Sequence, residues 1–447
     1  MALSDRLQGY SGRVRRILEE SGVEVGDEVE VEARGETYRG ILMARYELAD
    51  PNYIVIKLPN GYNIGIRVEG EVRVKRIASA KKPRFIPPPK PKFREGLPRV
   101  TIMSTGGTIA SRIDYRTGGV RPALTAEDLL SIVPELSDIA EIDAKILFSI
   151  FSEDMTPELW NKMAMEVDRL IRSGVDGVVI AHGTDTMGYS AAALSFALQK
   201  PPIPIVFVGA QRSSDRPSSD AATNLIAATR VAGHAPFAEV CVVMHAWHSD
   251  DLLAVHRGTR VRKLHTSSRD AFRSVNSPPI AYVKGGRIEL NSKNLNERGS
   301  GEYRFEPGFS SKAALVKFYP GMRADILEFL VERGVRGIIL EGTGLGHVST
   351  RIIPTIKRLH DDGIFFGMTS QCIFGRVNMR VYDTGRDLLK AGVIALDDML
   401  PETAYVKLSW CLARAESLEE VEELMLKPIA GEIGGRSMPS MEVKLGQ

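Results

Sequence analysis

Residues Asp176–Leu198 read DGVVIAHGTDTMGYSAAALSFAL. A continuous apolar run, Gly177–Ala181, stops abruptly at His-Gly-Thr-Asp-Thr, and a stretch of small residues with helical character follows. A short apolar run rich in β-branched residues, bounded by glycine, predicts a strand buried on both faces, the kind found in parallel sheets covered by helices. In such sheets ligands bind outside the carboxyl ends of the strands. Two threonines and an aspartate therefore stand where a site would form.

Upstream, VTIMS (residues 100–104) leads into TGGTIAS in the same way. Both exits place a threonine just after glycine, Thr108 and Thr184, and glycine permits close backbone approach that a side chain would block. A Thr or Asp beside a helix start is as readily an N-cap. No Gly-Lys-Ser/Thr follows either turn, so neither is a Walker loop, and neither fits a dinucleotide fingerprint. A threonine hydroxyl needs a base or a neighbouring cation to become a nucleophile. No Gly-x-Ser-x-Gly elbow is present to suggest a serine hydrolase. Lysine can serve as the proton acceptor where its site allows, and RGTRVRKLHTSSRDAF supplies Lys263. Its cationic neighbours Arg257, Arg260, Arg262 and Arg269 equally suit a solvated basic loop.

Working outward, further apolar strands (PIVFVG, VCVVMH, ALVKFY, GIILEG, IFFGM) alternate with helical patterns such as TPELWNKMAMEVDRLIRSG, an α/β signature that predicts parallel sheets. A less regular stretch near residues 284–312 divides a larger α/β domain (100–300) from a smaller one (301–447). Before residue 100 the chain changes character. Residues 5–21 predict an amphipathic helix ending at Gly22. Short alternating strands follow (GDEVEVEA, ETYRGILMARYE, NYIVIKL, YNIGIRV, GEVRVKRI), with Asn60-Gly61 as a hairpin signal. These predict a small all-β barrel, closed or nearly closed, over residues 1–78. Residues 79–99 hold six prolines between Pro83 and Pro98 and are rich in Lys and Arg. Proline forbids a regular helix there and predicts an extended basic linker.

Composition bounds the rest. The 447 residues are 43% hydrophobic and 26% charged, with a formal net charge of +2, which excludes a globally basic nucleic-acid binder. Cys241, Cys372 and Cys411 are far apart and odd in number, matching neither a disulfide framework nor a zinc spacing, so a reducing cytoplasm is expected. No apolar run approaches membrane-spanning length.

STGGTIAS, AHGTDTM, VGAQRSSDRPSSDAATNL and VRKLHT, in that order, resemble the L-asparaginase/glutaminase family over roughly residues 100–440. The resemblance implies an asparaginase-like two-domain α/β body and hydrolysis of a side-chain amide. It casts Thr108 and Thr184 jointly as nucleophile and partner, Lys263 as the base, and Asp185 as the holder of the substrate ammonium. It also implicates Ser152 and Glu153, in FSEDM, for the substrate carboxylate and the backbone of Ala210 for the amide group. On the residues alone, Ser152 and Glu153 could simply cap the helix that starts at TPEL. TSQCIFGRVNMRVYDTG is similar to cytosolic members, and GTGLGHVS stands where secreted members carry Gly-Asn-Gly-Asn.

The barrel and linker resemble those of the family members that supply ammonia to archaeal glutamyl-tRNA(Gln) amidotransferases. That likeness implies a glutaminase paired with the amidotransferase's E subunit, which uses ATP and Mg2+ to convert misacylated glutamyl-tRNA(Gln) to glutaminyl-tRNA(Gln). It implies no cofactor or metal in this chain, and a homodimer of the chain within a heterotetramer. A free-standing cytosolic asparaginase or glutaminase with an accessory barrel is the alternative. An RNA-binding module on a silent body is a third possibility, against which the intact Thr, Asp and Lys positions argue.

Overall fold

The structure is a computed structural model, and it describes residues 6, 7, 9–45, 50–59, 63–79, 96–107, 111–113, 120–122, 126, 129, 130, 133–212 and 218–436. Thr108, the Asn60-Gly61 turn and most of the Pro-rich linker lie outside the described residues. The chain divides into two compact units: Met1–Pro88 with Ser111–Arg121, and Pro89–Ala110 with Pro122–Gln447.

In the first unit, five antiparallel strands form one sheet in the spatial order Asn63–Arg67, Tyr53–Lys57, Glu36–Leu42, Glu28–Ala33, Val72–Ala78. Among the described residues no ladder joins the two outer strands of this sheet. The amphipathic helix is shorter than its pattern, running Gly12–Glu20. Gly9 explains the late start: it has φ +79° and a Cβ there would strike the Arg45 carbonyl, so the chain must turn before it can coil. The helix buries Val14 and Leu18 in one cluster with Val29, Val31, Leu42, Ile54 and Ile56, the inward parity of three strands. Tyr10 is locked beneath it, its hydroxyl donating to Met43 O at 2.8 Å and accepting from Val55 N at 3.1 Å. Burial pushes that phenol up to about 12.

The second unit holds two large sheets and, beside them, the two-stranded pairs Leu198–Gln199 with Arg304–Phe305 and Val261–Lys263 with Phe272–Ser274. The larger has the order Arg287–Leu290, Ala281–Lys284, Leu252–Arg257, Val240–His245, Ile205–Val208, Gly177–Ala181, Arg99–Gly106, Glu141–Ile150. The last five are mutually parallel, and the first three join by antiparallel pairing, so the sheet is mixed. No crossover helix separates these strands, so antiparallel pairing is open to them: the connections into Leu252–Arg257 and between the two outer strands are short, and a hairpin, Val261–Lys263 with Phe272–Ser274, lies between Leu252–Arg257 and Ala281–Lys284. Part of the stretch read as irregular is therefore a hairpin, Ala281–Lys284 against Arg287–Leu290, turning on Gly285 and Gly286 at φ +52° and +75°. The smaller sheet is wholly parallel: Ala313–Lys317, Gly337–Gly342, Phe365–Ser370, Val393–Ala395.

Every residue of Gly177–Ala181 is buried. Val178 and Ile180 enter one apolar cluster and Val179 and Ala181 another, on opposite faces, because successive side chains of a strand point to opposite sides. The first cluster contains the helix Met187–Ala197, whose residues Ala191, Ala192, Ala193, Leu194 and Phe196 are fully buried. It packs between the sheet and the helix Pro401–Leu412, with its run of alanines, Ala191–Ala193, taking little room and Phe196 filling the core. Truncating Phe196 to Ala would cost about 3–5 kcal/mol.

Candidate active site

Three parallel strands end level with one another. Ala181 pairs with Ser104 on one side and Val208 on the other, so the exits Gly106-Gly107, Gly183-Thr184 and Gly209-Ala210 lie side by side. Glycine is required at each for space. A Cβ on Gly107 would lie 3.0 Å from Gly183 N, and one on Gly183 would lie 2.8 Å from the Ser152 Cβ. One on Gly209 would meet Met187 Cε at 2.6 Å and Thr184 Cγ2 at 2.7 Å. These contacts bring the TGG, HGTDT, FSEDM and GAQR segments to one point on the sheet rim.

Lys263 comes to the same point from elsewhere. It ends the strand Val261–Lys263, paired antiparallel with Phe272–Ser274. Its Nζ donates to Thr184 Oγ1 and to Asp185 Oδ1, each at 2.9 Å. The lysine side chain is 13% exposed and the aspartate 69%, so the ammonium is sheltered while the carboxylate opens to solvent. Loss of one proton from Nζ would make it an acceptor for the Thr184 hydroxyl hydrogen, as proton transfer to a base requires.

Neither Thr184 nor Asp185 is a helix cap. The N-cap position of Met187–Ala197 is Thr186, and its hydroxyl makes no cap hydrogen bond, donating instead to Ser152 O at 2.6 Å. Nor do Ser152 and Glu153 cap the next helix. Thr156 does, accepting from Leu159 N. Ser152 is buried against Gly183, and Glu153 is exposed. His182 turns away into the core, its Nδ1–H donating to Gly183 O at 2.6 Å. Burial lowers its pKa to about 4, against a smaller opposing effect of that hydrogen bond. The imidazole is neutral and supplies no charge at the rim.

Several residues that shape this rim escaped the sequence reading. Asp220, fully buried, accepts from the backbone N–H groups of Gln211 and Arg212 at 3.0 and 2.9 Å. Asn224 donates to Gly209 O and to Asp220 Oδ2, both at 2.9 Å. The segment SSDAATNL was conspicuous, but nothing in it says which polar residue turns inward.

Comparison with known proteins identifies the family. Residues 99–296 match the family described as Asparaginase, N-terminal, residues 312–425 the Glutaminase/Asparaginase C-terminal domain, and residues 23–77 the GatD N-terminal domain. The glutamyl-tRNA(Gln) amidotransferase D subunit of Pyrococcus furiosus is 53% identical over 434 residues, covering 96% of this chain and 99% of that protein. The chain belongs to the D-subunit family of glutamyl-tRNA(Gln) amidotransferases. A second member of the family, from Thermofilum pendens, is 52% identical over 441 residues, covering 96% and 97%. Among solved structures, the thermostable L-asparaginase from Thermococcus kodakarensis superposes with a TM-score of 0.69 at 34% identity, covering 75% of this chain and 99% of its own. L-asparaginase I from Vibrio cholerae gives a TM-score of 0.66 at 31% identity, covering 76% and 99%. The asparaginase-like α/β body and the separate small antiparallel sheet domain expected from the sequence are thus present. No helix among the described residues is long and apolar enough to cross a membrane.

Proposed function

We propose that this chain is the glutaminase component of a tRNA-dependent amidotransferase: it hydrolyses glutamine and passes the ammonia to a partner E subunit. That partner, with ATP and Mg2+, converts misacylated glutamyl-tRNA(Gln) to glutaminyl-tRNA(Gln). The observation that carries the chemistry is the Lys263 Nζ held 2.9 Å from both Thr184 Oγ1 and Asp185 Oδ1. The full-length likeness to the D subunits of other amidotransferases supports the setting.

In this mechanism a threonine Oγ attacks the side-chain amide carbon, the C–N bond breaks, and ammonia leaves with the transferred protons. Water then cleaves the acyl-threonine ester to release glutamate. Lys263 takes the hydroxyl proton. Thr108 and Thr184 share the nucleophilic work, Asp185 offers its exposed carboxylate to the substrate ammonium, and Ser152 with Glu153 receives the α-carboxylate. The Ala210 backbone accepts from the amide nitrogen. We place no cofactor or metal in this chain, and infer a homodimer of it within a heterotetramer, located in the cytoplasm.

The test is ammonia release from glutamine and from asparagine by the purified chain, then amidation of charged tRNA when the E subunit and ATP are added. Release without amidation by the full pair would replace this proposal with a stand-alone amidohydrolase. No release from either amide would reject the chemistry as well.

A further inference from the structure

A buried polar chain runs from the Gly209-Ala210 exit back to the surface, through residues the mechanism does not use. The Asn224 Nδ2 group donates to two acceptors, Gly209 O and Asp220 Oδ2, so its Oδ1 must be the acceptor end. That oxygen accepts from His245 Nδ1–H at 2.7 Å. His245 ends the strand Val240–His245 with its side chain fully buried, and its Nε2 lies 2.9 Å from Asp250 Oδ1. Asp250 is 60% exposed and is held below its usual carboxylate range, first by the His245 hydrogen bond. Arg269, six residues beyond Lys263, donates to Asp250 Oδ1 at 2.9 Å, to His248 O and to Ser218 O. The chain therefore ties the loop after Lys263 to the turn packed on Thr184.

Asn224 and Asp220 hold the turn between them: Asn224 donates to Gly209 O, and Asp220 accepts from the N–H groups of Gln211 and Arg212. Gly209 has no side chain, Ala210 has no polar one, and Gly209 packs directly on Thr184 and Met187. If Gly209 O and Asp220 lost their shared donor, the peptides on either side of Ala210 could rotate, and the Ala210 carbonyl would swing with them. A misplacement of about 1 Å at a reacting centre can cost on the order of a hundredfold in rate.

We infer that Asn224, His245 and Asp250 are positioning residues: Asn224 holds Gly209 O and Asp220, Asp220 holds the Gln211 N–H, and the peptides on either side of Ala210 are thereby fixed against Thr184, so that the Ala210 carbonyl meets the N–H of the departing amide. This rests on the amide-hydrolysis proposal above. It predicts a substrate-dependent defect, because an ester in place of the amide has no N–H for that acceptor.

The experiment compares glutamine with glutamate γ-methyl ester in the full-length wild type, His245→Leu, Asp250→Ala and Asp250→Asn. For His245→Leu, kcat/KM on glutamine should fall about tenfold, with the ester changed less than about twofold. Asp250→Ala, at an exposed position, should show the same selectivity at about threefold. Asp250→Asn, which keeps the acceptor oxygen, should restore the wild-type ratio. Equal losses on amide and ester would show that the residues only support the fold and would overturn the inference, as would unchanged turnover of both. If His245→Leu does not fold, the Asp250 pair decides alone. Wild-type protein inactive on both substrates would reject the hydrolase proposal and this inference with it. Activity on both with an amide-to-ester ratio that no variant moves would reject the inference only.

Discussion

Two strand exits in this chain look alike in sequence and differ in what reaches them. In the larger sheet, GVVIA ends in His-Gly-Thr-Asp; in the smaller, GIILEG runs into Thr-Gly-Leu-Gly. Each belongs to a buried strand with parallel neighbours on both sides. At the first, Thr184 meets a lysine 79 positions away in the chain. At the second, Thr343 donates to His347 O within its own turn, and its side chain faces solvent. A glycine-threonine exit is a scaffold that becomes a site only when another segment delivers a proton acceptor. The hairpin Val261–Lys263 with Phe272–Ser274 does so here.

Removing the two hydroxyls in turn has the largest expected effect. Thr184→Val keeps the shape and should lower glutamine hydrolysis more than about a hundredfold, as losses of a nucleophile or its hydrogen-bonded partner do. Thr343→Val should stay within about threefold, since its hydroxyl stabilises only a local turn. Comparable losses, measured as ammonia release with circular dichroism to verify folding, would mean that the second exit takes part in the chemistry. Lys263 sharpens the same point. Lys263→Arg retains charge and can still donate to Thr184 and Asp185, but a guanidinium does not release its proton at working pH. It should fall as far as Lys263→Ala, roughly a hundredfold. An arginine variant with most of the activity would make the residue an electrostatic support.

A smaller effect separates the glycines. Gly209→Ala puts a methyl 2.7 Å from Thr184 Cγ2 and 3.0 Å from His182 O, so Thr184 or the turn must shift, and activity should drop about tenfold through misplacement. Gly344 has open space around its Cβ position but φ +49°. Alanine there should cost about 1 kcal/mol of stability and leave turnover near wild type. Steady-state kinetics alongside thermal unfolding distinguishes the two. If Gly344→Ala were the more damaging to activity, crowding at the first exit would not be what positions Thr184.

These contrasts also show what the sequence could reveal. Gly177–Ala181 was legible because burial on both faces leaves an unbroken apolar run, and glycine marks the exit whatever the fold around it. The hairpin at residues 281–290 was not, because its outer strand, Arg287–Leu290, is largely exposed and its polar residues mimic a loop. Closure of the small N-terminal sheet could not be read either: alternation reports which face is buried and is silent on whether the outer strands pair. Lys263 was a candidate base by chemistry, but only a resemblance set it above a solvated basic loop, since VRK stands among four arginines. Asn224, His245 and Asp250 gave no signal, because their meeting depends on three elements converging in space.

The smallest effect lies in stability, and it concerns the histidine beside the first exit. His182 is buried against Phe207, ring centroids 5.8 Å apart, and burial lowers its pKa from 6.5 to about 4. Unfolding returns the ring to water, where it binds a proton below about pH 6.5. Between pH 6.5 and about 4 the unfolded chain therefore carries a proton that the folded chain refuses, and stability falls as pH falls. The stabilisation from neutral burial is complete above pH 6.5 and gone below pH 4, at most about 3 kcal/mol. His256, buried and lowered to about 3 by the same cause, adds a loss of the same sign that extends further into acid. Asparagine at position 182 cannot take up a proton. His182→Asn should be less stable than wild type at pH 7, having lost its packing, yet its unfolding free energy should decline less steeply from pH 7 to pH 4. Urea titrations at a series of pH values measure both slopes. Parallel slopes would mean that His182 titrates in the folded protein as it does in water, with its charge accommodated against Phe207.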